Sequence, residues 1–300
     1  MTGNLNTAVF ALPGNETLAA ALAAELNAIT GTLAIRRFPD SETYLRFETP
    51  VSGCKVILVC SLHHPDDNII PLLFAASTAR ELGAASVGIV TPYLGYMRQD
   101  KRFQEGEAVT SAIFAQLLSR HIDWLVTVDP HLHRWHALGE IYSVPSTVVP
   151  AAPLLAEWIK SNVAAPVLIG PDSESEQWVS AVAQIAGAPH LVLEKIRRGD
   201  RDVSVSIPDP AALQGRTPVL VDDIISTGHT MISAARHILD QGLSPPVCVG
   251  VHAVFAGDAR EALLASGVAR VVTTNSIPQT FGTIDVSAAV AAAVADRLIS

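Results

Sequence analysis

Short apolar, β-branched runs alternate with amphipathic stretches along nearly the whole chain, and that alternation leaves few folds open. The strand-like segments are Val56–Cys60, Ser86–Thr91, Trp124–Val128, Pro166–Ile169, Pro218–Val221, Val247–Val251 and Val268–Thr273. Between them lie helix-like segments, among them Asn68–Leu82, Val109–His121, Glu176–Ala186, Thr230–Gln241 and Ala259–Ser266. Repeated strand-then-helix order implies an α/β fold, with mostly parallel sheets flanked by helices on both faces. An early pair, Leu33–Phe38 and Tyr44–Phe47, flanks Pro39-Asp40-Ser41-Glu42 and reads as a hairpin appended to that sheet. The Pro-bearing stretch Ser143–Pro153 is the expected domain boundary, giving domains 1–148 and 149–284 of similar size. The Ala-rich helical segment within about 285–300 is expected to return to the first domain.

Composition narrows the class of partner. Hydrophobic residues make up 49% and charged residues 16% of the 300, ample for buried cores and unlike a disordered chain. A net charge of −9 argues against nucleic acid as a partner. No apolar run reaches the roughly 18 residues of a membrane span, and the N-terminus lacks the basic start of a secretion signal. The three cysteines, Cys54, Cys60 and Cys248, each lie in an apolar stretch, so reduced thiols in a cytoplasmic protein are expected. Basic residues are nevertheless concentrated. Lys195, Arg197, Arg198 and Arg201 place four of the 20 Lys and Arg within a few positions, and Arg98, Lys101 and Arg102 form a second cluster. Basic loops on an acidic protein point to a small polyanionic ligand.

In open parallel sheets ligands sit beyond the C-terminal ends of strands, so the residues that follow each strand carry the information. They are Asp129-Pro130-His131, Gly170-Pro171-Asp172 and Asp222-Asp223. The richest segment runs from Val219 to Met231: an apolar strand ending in Asp222 and Asp223, a turn of Ser226, Thr227, Gly228 and His229, then a helix beginning near Thr230. Backbone amides and hydroxyls of such a turn at a helix N-terminus form an anion nest. Carboxylates beside a phosphate site repel phosphate unless they bind something else, and sugar hydroxyls suit them.

This segment closely resembles the phosphoribosyl pyrophosphate-binding motif shared by phosphoribosyltransferases and ribose-phosphate diphosphokinases, and the remaining motifs resemble the diphosphokinases. Phe38-Pro-Asp-Ser-Glu42 is similar to that family's early hairpin. Pro92-Tyr-Leu-Gly-Tyr-Met-Arg-Gln-Asp-Lys101 is similar to its ATP segment, Asp129-Pro-His131 to its Asp-x-His element, and Glu194-Lys-Ile-Arg-Arg198 to its mobile catalytic loop. The order of the motifs is the family's, and the loop Phe103–Glu107 looks closer to its shorter, archaeal-like branch. The resemblance implies two phosphoribosyltransferase-like domains and transfer of diphosphate from ATP to the C1 hydroxyl of ribose 5-phosphate. It implies catalytic roles for Lys195 and Arg197. Contacts to ATP are implied for Phe38, Asp40, Glu42, Arg98, Gln99, Lys101 and His131. Ribose 5-phosphate falls to Asp222, Asp223, Ser226, Thr227, Gly228, His229 and Thr230. His131 and Asp172 are the inherited candidates for Mg2+. Phe38 is implied to reach adenine across a subunit interface, which requires at least a homodimer.

Other readings stand beside this one. A phosphoribosyltransferase shares the turn but needs no ATP segment, and a non-catalytic regulatory homologue lacks the basic loop. His131, His133 and His136 have a spacing that suits zinc. His63-His64 either approaches the ATP phosphates or forms a hydrogen-bonded turn. One departure concerns the turn itself: His229 stands where the family commonly has Gly, a residue free to adopt positive φ. No Gly-x-x-x-x-Gly-Lys-Ser/Thr sequence occurs, so a P-loop does not hold the nucleotide.

Overall fold

The computed structural model describes residues 6–172, 175–197, 203–206, 213–279, 281 and 283–299. The chain divides into two units, residues 1–149 with 286–300, and residues 150–285. The first unit holds β1 (Thr7–Ala11), α1 (Glu16–Glu25), β2 (Ile29–Gly31), β3 (Leu33–Arg37), β4 (Thr43–Phe47), β5 (Lys55–Val59), α2 (Pro65–Glu81), β6 (Ser86–Val90), α3 (Thr110–Ser119), β7 (Trp124–Val128) and β8 (Ser146–Val149). The second holds α4 (Ala152–Asn162), β9 (Pro166–Gly170), α5 (Glu176–Ala186), β10 (His190–Val192), β11 (Glu194–Arg197), β12 (Val203–Ser206), β13 (Thr217–Ile225), α6 (His229–Asp240), β14 (Val247–Ala253), α7 (Ala259–Ala265), β15 (Arg270–Thr274) and β16 (Thr283–Ile284). The last helix, α8 (Ser287–Ile299), belongs to the first unit.

Each unit is built on a parallel sheet, in order β2-β1-β5-β6-β7-β8 and β10-β9-β13-β14-β15-β16. Counted within its own sheet, the order of strands is the same in both. Each unit also carries an antiparallel hairpin at the same point, after the second strand of its sheet: β3–β4 in the first and β11–β12 in the second. The central strands β7 and β14 are buried along their whole length, as strands covered on both faces must be.

In the first unit Phe10, Leu58, Leu72, Ile89, Phe114 and Leu125 form a continuous core. On α8, Val290, Ala291, Val294 and Leu298 are buried, Lys55 Nζ donates to the Leu298 carbonyl, and Arg297 Nε donates to Thr147 Oγ1 at 2.6 Å. The second unit has its own core of Ile169, Leu220, Ile225, Met231, Ile238 and Cys248. All three cysteines are free thiols. Burial pushes the Cys60 and Cys248 thiols up to about 12, which keeps them protonated and unreactive.

Candidate functional site

Because the strands of each sheet run parallel, the segments after them gather along one edge; Pro92–Lys101, Asp129–His131 and Pro171–Asp172 lie after β6, β7 and β9. In the second unit β13 is longer than its sequence suggests. Asp222 and Asp223 do not follow the strand but lie within it, because β14 pairs with β13 as far as Ile225 opposite Ala253. On the other side β9 pairs only up to Leu220, leaving the acidic end of β13 bordered by the Gly170–Asp172 segment. Gly250 lies opposite Asp222, and a Cβ there would stand 2.7 Å from the Ile225 side chain, so this close strand approach needs a glycine.

Asp222 meets two neighbouring carboxylates here, those of Asp223 and Asp172. Burial raises the Asp222 carboxyl to about 8, with the charges of Asp223 and then Asp172 adding to the effect. The Asp223 amide donates to Asp222 Oδ1 at 3.1 Å and stabilises its charged form only in part. A trio of this kind favours a cation or hydroxyl donors between its members. Magnesium prefers oxygen ligands and keeps several of its own waters or substrate phosphates, so a few carboxylates suit it better than a complete protein cage. Among the described residues no group of three or more His, Cys, Asp or Glu is arranged as a ready-made metal centre. That includes the histidine trio: His133 instead faces Asp100, with Nδ1 3.8 Å from its carboxylate.

After β13 the chain turns through Ser226, Thr227 and Gly228 into α6. Gly228 is the N-cap at φ +71°, and its carbonyl accepts from the Ile232 amide at 2.8 Å. This relocates the sequence concern about His229. The positive φ that demands glycine falls on Gly228, while His229 is the exposed first residue of the helix and carries no such strain. The first-turn amides of α6 have no intrahelical acceptors and are available to an anion at this end.

Lys195 and Arg197 occupy β11, paired antiparallel with β12, Lys195 opposite Val205 and Arg197 opposite Val203. The basic segment is therefore a β-ribbon at these positions and not an irregular loop. Arg198 and Arg201 lie outside the described residues.

In the first unit, the tail of each strand is knitted to the next. Cys60 N donates to Val90 O, Leu62 N to Tyr93 O, and Val128 N to Pro92 O, at 2.9, 2.9 and 3.2 Å. This fixes the Pro92–Lys101 segment, in which Tyr93, Leu94 and Met97 are buried, Gln99 is half-buried and Arg98 is exposed. Asp100, which the sequence does not single out, is buried and faces Arg134 Nε at 3.5 Å as well as His133. It ties the segment to the loop that holds half-buried His131. Tyr96, at φ +62°, hydrogen-bonds Asp66, which pushes its hydroxyl up to about 12. Lys101 Nζ stands 4.9 Å from the Phe103 ring centre. The His63 and His64 rings are 4.7 Å apart, and burial, then His64, lowers the His63 imidazole from its ordinary value, favouring the neutral ring.

The hairpin presents Phe38, 40% exposed, with exposed Asp40 and Glu42. Its turn is closed by Phe38 N to Glu42 O at 2.8 Å and Glu42 N to Asp40 Oδ1 at 3.3 Å, and Ser41 sits at φ +75°. The Arg36 guanidinium lies over both Phe38 and Tyr44, at 4.6 and 4.2 Å.

Two parallel-sheet units of one topology, one of them ending its third strand in paired acids and a glycine-capped anion turn, define a protein with two phosphoribosyltransferase-like domains. Family models agree: one described as the N-terminal domain of ribose phosphate pyrophosphokinase matches residues 7–121, and a phosphoribosyl transferase domain matches 138–286. The ribose-phosphate pyrophosphokinase of Methanopyrus kandleri is 37% identical over 276 residues, covering 91% of this chain and 93% of that protein. Its counterpart from Methanothermobacter thermautotrophicus is 36% identical over 284 residues, 94% and 98% of the two chains. The phosphoribosylpyrophosphate synthetase of Mycobacterium smegmatis has the same fold, with a TM-score of 0.86 at 24% identity over 98% of this chain and 99% of that one. The chain belongs to the ribose-phosphate pyrophosphokinase family.

Proposed function

We propose that this enzyme transfers the diphosphate of ATP to the C1 hydroxyl of ribose 5-phosphate, giving phosphoribosyl pyrophosphate and AMP. The hydroxyl oxygen bonds to the β-phosphorus as the link between that phosphorus and the α–β bridging oxygen breaks. The observation that carries the sugar-phosphate half is the joining of two chemistries on one strand end, an anion turn capped by Gly228 beside Asp222 and Asp223. Asp222 and Asp223 accept from ribose hydroxyls, while the amides of Ser226 to Thr230 and the hydroxyls of Ser226, Thr227 and Thr230 hold the 5-phosphate. A phosphoribosyltransferase has no use for the ATP segment and hairpin of the first unit.

On the nucleotide side, Arg98 supplies a forked phosphate contact, with Gln99, Lys101 and His131 beside it. Phe38 offers its exposed ring to the base, and Asp40 and Glu42 offer acceptors to the amino edge. Lys195 and Arg197 neutralise charge that spreads over the transferring phosphoryl oxygens, the main requirement of a reaction that needs alignment more than covalent help. His131 and Asp172 would be the protein contacts of Mg2+, which would supply positive charge to offset the repulsion of the phosphates. The working form is at least a homodimer and acts in the cytoplasm. No helix among the described residues is long and apolar enough to cross a membrane.

The test is a coupled assay for AMP with Mg2+ and ATP, with and without ribose 5-phosphate. AMP released only when the sugar phosphate is present, in equal amount with phosphoribosyl pyrophosphate, is the expected result. Release without it, or none with it, overturns the reading.

A further inference from the structure

The turn after β13 is useful to an anion only while its amides point outward, and that requires its carbonyl groups to be held the other way. Two are held by the tail of β14: Phe255 N donates to Ile225 O at 3.0 Å and Ala256 N to Ser226 O at 3.1 Å. The tail has no strand on its other side to steady it, because the β14–β15 pairing ends at Gly250 opposite Thr273. Side chains complete that missing ladder. Thr274 Oγ1 donates to Val251 O at 2.8 Å, Ser276 Oγ donates to the same oxygen at 3.2 Å, and Gln279 Nε2 donates to Ala253 O at 3.0 Å.

His252 stands in the middle of this arrangement and is only 1% exposed. Its Nδ1 is 2.9 Å from Ser276 Oγ. The serine hydroxyl therefore lies between the imidazole and the Val251 carbonyl, linking the ring to the β14 tail. We infer that His252 is a positioning residue for the phosphate turn: through Ser276, and together with Gln279, it fixes the β14 tail that keeps the turn's amides directed at the 5-phosphate. This rests on the reading that the turn holds ribose 5-phosphate.

The experiment compares His252→Phe, which keeps a ring but loses the ring nitrogen, with His252→Asn, whose side-chain amide can donate or accept near the Nδ1 position. Calorimetric titration with ribose 5-phosphate should show a Kd raised by about tenfold or more for His252→Phe, since small misplacements of a binding group cost up to about a hundredfold. His252→Asn should recover most of it, and KM for ATP should stay near that of the unmodified protein in both. Exchange of the Phe255 and Ala256 amides should quicken in His252→Phe alone. Unchanged ribose 5-phosphate binding, or equal weakening of ATP, overturns the inference. Should His252→Phe not fold, Ser276→Ala makes the same break with a smaller change and carries the same expectations. A parallel Asp222→Asn, Asp223→Asn double variant separates the two levels. If it leaves ribose 5-phosphate binding intact, the reading of the turn fails; if it abolishes binding while His252→Phe does not, only the positioning role fails.

Discussion

Asp222 is half-buried in a strand beside two other acids, and its ionised form is disfavoured. Unfolded, the group ionises near 3.8; folded, it holds its proton up to about 8. Between those values the folded state binds more protons, so this group's effect on stability grows more unfavourable as pH rises and is complete above the folded value. Asp222→Asn keeps an acceptor for the Asp223 amide and removes the charge. Its melting temperature without ligand should exceed that of the unmodified protein by several degrees at pH 8.5, with the gap shrinking toward pH 5; about 1 kcal/mol corresponds to about 2–4 °C for a domain of this size. The same variant should raise KM for ribose 5-phosphate by about fivefold or more, as an unpaired buried donor costs about 1–3 kcal/mol. Melting curves that coincide at both pH values would remove the carboxylate from the role given to it. At this scale sequence reading reached Asp222 but not Asp100, whose partners His133 and Arg134 come from a different loop and leave no local signal.

At the scale of elements, the two hairpins matter most, since the groups assigned to the base and to the transferring phosphate ride on them. Lys195→Ala and Arg197→Ala should each lower kcat by about a hundredfold or more, the usual effect of losing one donor to transition-state charge, with unchanged melting temperatures. Near-normal turnover in both would take the chemistry away from β11. The first hairpin offers a structural handle in Ser41, held at φ +75°. Ser41→Gly should be tolerated with a normal KM for ATP, whereas Ser41→Val places a β-branched residue where it is strained by about 1–3 kcal/mol and should raise that KM several-fold by shifting Phe38 and its neighbours. Equal KM values for the two variants would show that turn geometry does not matter to the nucleotide. Elements of this kind differ in how far sequence discloses them. Strands such as β7 and β14 announce themselves as largely apolar runs, and the β3–β4 pair by its flanked Pro-Asp-Ser turn. The short edge strands β2, β10 and β16 have two or three residues each, too few for any period, and exist because a neighbour offers free hydrogen-bonding groups. The four-residue extension that takes Asp222 and Asp223 into β13 is likewise set by the length of β14, which is not a property of the acidic segment itself.

For the whole molecule, the shared strand order of the two sheets, each with its hairpin inserted after the second strand, describes one plan used twice with different ends. In the second unit the third strand ends in acids and an anion turn. In the first, β5 leads into His63 and His64 and a helix opened by Pro65, with the Asn15 side chain accepting from the Ser61 amide at 2.8 Å. Side chains of the protein occupy part of that strand end, and no Gly-capped turn follows β5. A division of labour fits this difference, with the second unit taking the sugar phosphate and the first the nucleotide. In that proposed division Phe38, exposed and propped by Arg36 and Tyr44, is suited to a base, and the family resemblance has that base supplied from a neighbouring subunit. Phe38→Ala should therefore raise KM for ATP by about tenfold, in line with the roughly 1–3 kcal/mol that a stacked base loses on alanine substitution, and leave KM for ribose 5-phosphate within about twofold. Sedimentation at assay concentration should show a dimer or larger species, and specific activity should fall on dilution as that species dissociates. A fully active monomer would place Phe38 against its own subunit's nucleotide or against none, and the split between the two KM values tells those outcomes apart: if only KM for ATP rises, the ring still serves the base, and if neither rises, the hairpin has no part in binding it.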